Sequence, residues 1–215
     1  MKTVAFVPVR LNSKRVQGKN LKLLGDKPLL CYVLETLTRV KTIDDIYVYC
    51  SSSDIIQYLP EGVKFLQRPE VLDRDETLGQ EIYDAFTRTI DADIYILAHT
   101  TSPFIKSSTI SSALDKILNE DYDSAFSVEK MQTLAWYKGQ PLNYELKTIP
   151  RTQTIEPVYV ETSAFFMFKK EIWTKYHQRI GFRPYMAVID KIEGVDIDWP
   201  EDFTFAELIQ KINEF

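Results

Sequence analysis

The sequence predicts an α/β fold in three layers, a mostly parallel twisted sheet with helices on both faces. Short apolar runs rich in β-branched residues alternate with amphipathic helical patterns over the first 120 residues, and this alternation is typical of parallel sheets. A length of 215 residues and a hydrophobic fraction of 45% suit one domain with a sizeable core. We therefore expect a single domain over residues 1–215, with a small β-rich arm around 130–165.

The first half of the chain is predicted to contain four strands and three helices. The strands are the apolar runs at 4–9, 46–50, 63–66 and 94–98. Helical periodicity covers 28–40, 77–90 and 107–118. In the second of these helices, Ile82, Phe86 and Ile90 recur every fourth residue, which places them on one face.

The second half is richer in strand patterns. Strands are predicted at 124–128, 134–137, 157–168 and 185–189, and a last helix follows Pro200. The region 130–160 has the least regular pattern and is predicted to form a protruding hairpin or arm. Since no linker-like composition interrupts the chain, we keep one domain.

Composition excludes several classes of function. A formal net charge of −5 and a pI near 5.2 argue against a general nucleic-acid binder. No apolar run approaches the ~18 residues of a membrane span, and the first residues lack the pattern of a signal peptide. Cys31 and Cys50 have no metal or redox spacing, so they are predicted to be buried thiols of a cytoplasmic protein.

Charge is distributed unevenly, which indicates a local site for an anion. Residues 1–27 carry a net charge of +6, and the rest of the chain carries −11. The loop after the first strand holds Arg10, Ser13, Lys14 and Lys19, whose donors together with the loop amides could wrap a polyphosphate. Asn12 tolerates a left-handed backbone and is expected to make the turn. Neither a Walker A nor a Gly-x-Gly-x-x-Gly motif is present.

Residues 8–21, Pro-Val-Arg-Leu-Asn-Ser-Lys-Arg-Val-Gln-Gly-Lys-Asn-Leu, resemble the signature of the sugar-acid cytidylyltransferases. These are the CMP-acylneuraminate synthetases, with the CMP-Kdo synthetases as more distant relatives. The resemblance implies a nucleotide-diphospho-sugar transferase-like fold. It also implies that CTP is bound by Pro8, Arg10, Asn12, Ser13, Lys14, Lys19 and Asn20, and by Arg68 in the segment Gln-Arg-Pro after the third strand.

Two further segments resemble the acid-binding parts of this family. Residues 99–104, His-Thr-Thr-Ser-Pro-Phe, resemble Gln-Pro-Thr-Ser-Pro-Leu, and residues 150–153 resemble Pro-Arg-x-Gln. The resemblance implies that the sugar acid is bound by His99, Thr101, Ser102, Arg151 and Gln153. This sequence has His99, Ile105 and Thr162 where the family usually has Gln, Arg and Asn, so the identity of the acid stays open.

Residues 195–202, Val-Asp-Ile-Asp-Trp-Pro-Glu-Asp, resemble the family's Ile-Asp-Ile-Asp-x-Pro-Glu-Asp. In a strand, Asp196 and Asp198 would face the same side. Adjacent carboxylates suit Mg²⁺ that is held jointly with substrate phosphates. Alternatively, Asp198 could cap the helix that begins at Pro200.

The resemblance implies a CTP-dependent nucleotidyltransferase with Lys19, Asp196 and Asp198 in catalytic roles and Mg²⁺ as its cofactor. Its partners would be CTP, an acidic sugar and a second copy of the chain, with neither nucleic acid nor membrane. In the family, a homodimer places an arm of each subunit at its partner's site. The alternatives are a cytidylyltransferase for Kdo or another acid, a metal-dependent glycosyltransferase because of the Asp-x-Asp spacing, and a non-catalytic nucleotide-binding subunit.

Overall fold

The computed structural model describes residues 1–213. The strands are β1 (Thr3–Val9), β2 (Leu23–Leu24), β3 (Lys27–Pro28), β4 (Asp45–Cys50), β5 (Val63–Gln67), β6 (Ile94–Ala98), β7 (Ser124–Met131), β8 (Trp136–Tyr137), β9 (Gln140–Pro141), β10 (Val158–Lys169) and β11 (Pro184–Ile189). The α-helices are α1 (Leu29–Thr38), α2 (Gly79–Thr89), α3 (Ser107–Asn119), α4 (Lys170–Tyr176) and α5 (Pro200–Asn213). Short 3₁₀ helices cover Lys19–Leu21, Ser53–Tyr58 and Glu70–Asp73.

Seven strands form one twisted sheet in the order β11-β7-β10-β6-β1-β4-β5. Strands β6, β1, β4 and β5 are parallel, so their carboxyl ends lie at one edge. Strand β10 runs antiparallel to both β6 and β7. Its pairing with β7 shifts register between Glu161 and Phe166, and such a bulge re-aims side chains. The predicted fold class, mostly parallel with helices, is confirmed.

Helices cover both faces because β1 alternates apolar side chains to either side. Ala5 and Val7 pack into a cluster with α1 and α3, whereas Phe6 packs into a second cluster with α2 and α4. Phe86 of α2 stacks on Phe6 with ring centroids 4.2 Å apart. The helical face predicted through Phe86 is therefore confirmed. Cys31 and Cys50 are free and buried, as expected.

A third apolar cluster positions the site. Helix α5 contributes Phe203 and Ala206, and these side chains pack against Val16 of the first loop and Val195 and Ile197 of the chain's acidic segment. The amino-terminal loop and the carboxyl-terminal segment are thereby brought together. Burial of such side chains contributes roughly 1.5–3 kcal/mol each.

The arm is the region where prediction and structure differ most. The strand predicted at 134–137 shrinks to β8, which pairs with β9 in a two-stranded ribbon. Helix α4 and the β2–β3 ribbon were not predicted, since both are too short to show a period. Within residues 1–213, no helix combines the length and apolarity that a membrane crossing requires.

Candidate active site

Two adjoining clefts of about 400 Å³ each open at the carboxyl edge of the sheet. The basic cleft is lined by Pro8, Arg10, Ser13, Lys14, Arg15, Lys19, Asn20, His99, Thr100 and Thr101. The acidic cleft is lined by His99, Thr101, Glu161, Thr162, Ser163, Phe166, Arg179, Asp196 and Asp198. The loops after β1 and β6 form the basic cleft because the strand order reverses between these strands, the point where open α/β sheets bind ligands.

The first loop is fixed by one buried side chain. Asn20 Nδ2 donates to the carbonyl of Arg10 over 2.7 Å, and Asn20 Oδ1 accepts from Thr100 Oγ1 over 2.6 Å. Gly18 takes the left-handed backbone, with φ of +61°. The expectation that Asn12 makes this turn is therefore wrong. Asn12 lies instead in a neighbouring polar depression with the serines after β4.

The exposed cations of the basic cleft have an exchangeable partner. Lys14 forms an ion pair with Asp75, and Arg10 Nη1 lies 3.2 Å from the same carboxylate. The bond from Lys14 is the main reason that the pKa of Asp75 is held below its usual range. Because ion pairs in water are weak, both cations can turn from Asp75 to a more highly charged polyphosphate.

Lys19 joins the two clefts. Its side chain is buried, Nζ donates to the Ile197 carbonyl over 2.6 Å, and Nζ lies 3.4 Å from Asp198 Oδ1. Arg15 reaches the other oxygen of Asp198 at 3.0 Å and lies 5.2 Å from the Trp199 ring. The first loop and the Asp196–Asp198 pair thus lie side by side, although 178 residues separate Lys19 from Ile197.

Residues 195–198 have no regular secondary structure, so the strand prediction is wrong. The backbone of Ile197 bonds to loops instead of a neighbouring strand, since its N–H donates to the Thr101 carbonyl over 2.8 Å. Successive side chains of this segment nevertheless lie on alternate sides of the backbone. Ile197 is buried, while Asp196 and Asp198 both line the acidic cleft.

The alternative role for Asp198, capping α5, is also wrong. Asp202 Oδ2 accepts from the backbone N–H groups of Asp198 and Trp199, over 2.9 and 2.7 Å. A carboxylate in the first turn that reaches back in this way satisfies the free donors at the helix start. The Asp198 carboxylate therefore contacts Lys19 and Arg15 at the cleft and not the start of the helix.

The carboxylate pair fits a hard cation. Asp196 Oδ2 accepts from Ser163 Oγ over 3.0 Å, but Asp196 Oδ1 is buried and has no hydrogen-bond partner among residues 1–213. A buried carboxylate oxygen without a partner is costly, and a bound cation would remove that cost. The described part of the chain contains no cluster of three or more potential metal ligands.

His99 stands where the clefts meet. Its Nδ1 lies 2.6 Å from the Ser163 carbonyl, which only accepts, so Nδ1 carries the proton and Nε2 is the acceptor. Burial lowers the pKa of His99 below 6.5. A neutral ring therefore borders both clefts.

We predict that His99→Gln flattens the pH dependence of stability. The pKa of folded His99 lies below its unfolded value, so the unfolded state takes up the proton first as pH falls. As the pH falls below 6.5, the free energy of unfolding therefore decreases by up to about 1.4 kcal/mol per pH unit. Urea unfolding at pH 7.5, 6.0 and 5.0 measures the difference between wild type and variant. Parallel losses in both proteins would contradict the prediction.

Several predicted site residues lie outside the clefts. Arg68 is only 2% exposed, and its Nη2 lies 2.6 Å from Asp73 Oδ1, while the Asp73 carbonyl accepts from Arg10. Ser102 is buried behind the loop. Arg151 and Gln153 are exposed on the arm and line neither cleft. Their assigned contacts with CTP and the sugar acid stay predictions.

Three residues of the acidic cleft were not among the predicted site residues: Glu161, Phe166 and Arg179. Arg179 Cζ lies 3.7 Å from the centroid of the Phe166 ring, and Nη2 lies 3.3 Å from both oxygens of Glu161. No motif marks Arg179. Arg179 reaches the cleft only because α4 and the loop after it pack beside the β10 bulge.

The fold and the two clefts define a three-layer α/β protein with its candidate site at the carboxyl edge of the sheet. The chain belongs to the cytidylyltransferase family, whose sequence profile matches residues 4–215.

Curated relatives carry more specific names. The chain is 25% identical to N-acylneuraminate cytidylyltransferase A of Danio rerio, in an alignment covering 91% of this chain and 49% of that protein. It is 27% identical to N-acylneuraminate cytidylyltransferase of Escherichia coli O18:K1:H7, covering 98% and 52%. The chain therefore spans about half the length of these relatives. Pseudaminic acid cytidylyltransferase of Campylobacter jejuni is 24% identical and is covered over 98% of its length, with 99% of this chain.

Solved structures share the fold. The CTP complex of CMP:2-keto-3-deoxy-manno-octonic acid synthetase superposes with a TM-score of 0.75 and 16% identity, covering 99% of this chain and 100% of the other. The 4-diphosphocytidyl-2C-methyl-D-erythritol synthase of Anaerococcus prevotii gives a TM-score of 0.70 and 13% identity, covering 98% and 96%. At these identities the likeness shows the fold alone.

Proposed function

We propose that this chain transfers CMP from CTP to a sialic-acid-like 2-keto-3-deoxy sugar acid and releases pyrophosphate. The observation that carries the proposal is the position of Lys19, whose ammonium group joins the basic loop to the Asp196–Asp198 pair. Membership of the cytidylyltransferase family and the names of the curated relatives support it.

The residues of the basic cleft would bind and orient CTP. Lys14 and Arg10 leave Asp75 for the outer phosphates, while buried Lys19 faces the charge that builds up during transfer. The anomeric hydroxyl of the sugar acid attacks the α-phosphorus in line, the bond to the β-phosphate oxygen breaks, and pyrophosphate leaves. Mg²⁺ on Asp196 and Asp198 would supply charge neutralisation and polarise the phosphates.

The test is pyrophosphate release from CTP and Mg²⁺ in the presence of N-acetylneuraminate, pseudaminic acid or Kdo. Release with one of the first two acids supports the proposal. Release with Kdo alone supports the alternative acceptor, which the departures at His99, Ile105 and Thr162 keep open. Release of a nucleoside diphosphate from a nucleotide sugar, with no release of pyrophosphate, would establish a glycosyltransferase. Binding of CTP without turnover of any acid would establish a non-catalytic subunit.

We also propose that the chain acts as a cytoplasmic homodimer. The arm exposes large apolar side chains at Trp136, Tyr137, Leu146 and Ile149, and a second copy of the chain would cover them. Arg151 and Gln153 lie on this arm, outside the clefts of their own subunit. They would serve the acidic cleft of the partner.

Mixing two inactive variants should then restore activity. In a heterodimer of Arg151→Gln and Asp198→Asn subunits, one site keeps an intact Asp198 and receives an intact arm. An equimolar mixture that exchanges subunits should regain about a quarter of wild-type activity. The measurement is pyrophosphate release before and after exchange. A mixture that stays inactive, although an affinity tag on one variant co-purifies the other, would contradict an arm acting on its partner.

A further inference from the structure

The acidic cleft has an electrostatic problem for the ligand proposed above. Its charged lining consists of three carboxylates, from Glu161, Asp196 and Asp198, and one cation, Arg179. A sugar acid entering this cleft brings a further negative charge. Arg179 is the charged group in this lining that can offset the charge of the acid.

The guanidinium of Arg179 lies over the Phe166 ring, with Cζ 3.7 Å from the ring centre. Arginine makes such cation–π contacts more often than lysine does. Glu161 engages Nη2. Arginine has five N–H donors, so donors remain for a second carboxylate. Both Arg179 and Glu161 are more than a third exposed, which keeps their pairing weak.

The backbone on either side of Arg179 is anchored. His177 ends α4 in a left-handed conformation with φ of +53°. Gly181 N donates to Ser124 Oγ over 2.8 Å, and Phe182 N donates to Asp123 Oδ2 over 2.8 Å. A Cβ atom on Gly181 would lie 2.3 Å from Asp123 Oδ1, so the approach requires glycine. The backbone of this loop is thus fixed beside the cleft before any ligand arrives.

We infer that Arg179 binds the carboxylate of the acceptor sugar acid within its own subunit, and that Glu161 holds the guanidinium in place until the acid binds. The inference rests on the proposed function, because it takes the acceptor to be a sugar acid. Arg151, which the arm would bring to the cleft of the partner subunit, would then contact another part of the acid. Arg151 lies on the arm and lines neither cleft.

The test compares the binding of a sugar acid with that of its uncharged methyl ester, by titration calorimetry with N-acetylneuraminate and with Kdo. Wild type should bind the acid about 10- to 100-fold more tightly than the ester. Arg179→Gln should bind acid and ester equally, and Arg179→Lys should recover only part of the preference, because ammonium lacks the fork. Arg183→Gln is the matched control. Arg183 lies on the same loop, pairs with Asp121 and is outside the cleft.

Glu161→Gln separates ligand binding from a structural role. If Arg179 only braces the cleft through Glu161, both Arg179→Gln and Glu161→Gln should weaken binding of the acid. If Arg179 receives the carboxylate, Glu161→Gln should strengthen it, because a competing anion is gone. The expected KM for the acid follows the same order, and the KM for CTP should stay unchanged in all four variants.

The inference is overturned if Arg179→Gln keeps the preference for acid over ester, or if the preference is lost in Arg151→Gln instead. It is also overturned if wild type shows no preference. Calorimetry needs no turnover, so these outcomes are independent of pyrophosphate release. A chain that binds acids through Arg179 but releases no pyrophosphate would contradict the proposed function and retain the inference.

Discussion

Asp198→Asn should lower the turnover number by about 100-fold or more, with saturating CTP and acid. The substitution keeps the size of the side chain but removes the charge that faces the acidic cleft beside Asp196. It leaves Lys19 and Arg15 without their carboxylate, so two cations would face the place proposed for Mg²⁺. The Mg²⁺ concentration needed for half-maximal rate should rise. Steady-state pyrophosphate release across a Mg²⁺ titration measures both effects.

Stability decides whether such a loss belongs to the chemistry. Asp198 is partly exposed, and its backbone N–H is held by Asp202 whatever its side chain does. The free energy of unfolding should therefore change by no more than about 1 kcal/mol. Glu201→Gln is the matched control, since it removes one negative charge from an exposed position three residues away and should alter turnover less than twofold. Near wild-type turnover in Asp198→Asn would refute the metal assignment.

The fold was predictable because its signals are local. The strands β1, β4, β5 and β6 are apolar runs of five to seven residues, and the intervening helices show clear periods. The antiparallel direction of β10 was not predictable, since its apolar pattern is the same whichever way the strand runs. Helix α4 has seven residues, too few to establish a helical period.

The site was predictable to the extent that it lies in continuous segments. The first loop and the Asp-Ile-Asp segment each carry their chemistry in a short stretch, and the structure brings them together through Lys19. Arg179 does not lie in any short sequence segment that indicates its role. Its position depends on a glycine fitting against Asp123, 58 residues earlier, and on a bulge in β10. Arg68, in contrast, lies in a segment that matches a motif, but its side chain is buried and pairs with Asp73.

Lys19→Met should also lower turnover by about 100-fold or more, and unlike Asp198→Asn it should destabilise the fold. Methionine fills the buried volume but offers no donor. The Ile197 carbonyl then loses its 2.6 Å bond, which costs about 1–3 kcal/mol.

Because Lys19 and Asp198 share an ion pair, their effects on stability should not add. Each single variant loses the Lys19–Asp198 ion pair, and the double variant, Lys19→Met with Asp198→Asn, loses that same pair only once. Its free energy of unfolding should therefore fall by less than the two single losses combined, whereas its turnover should stay at the level of the weaker single variant. Arg15→Gln serves as the control: it deletes the exposed cation on the same carboxylate, and we expect less than a threefold loss of rate. If Lys19→Met lost stability but kept wild-type turnover below its unfolding range, Lys19 would be a brace between two loops and not a charge that acts on the triphosphate.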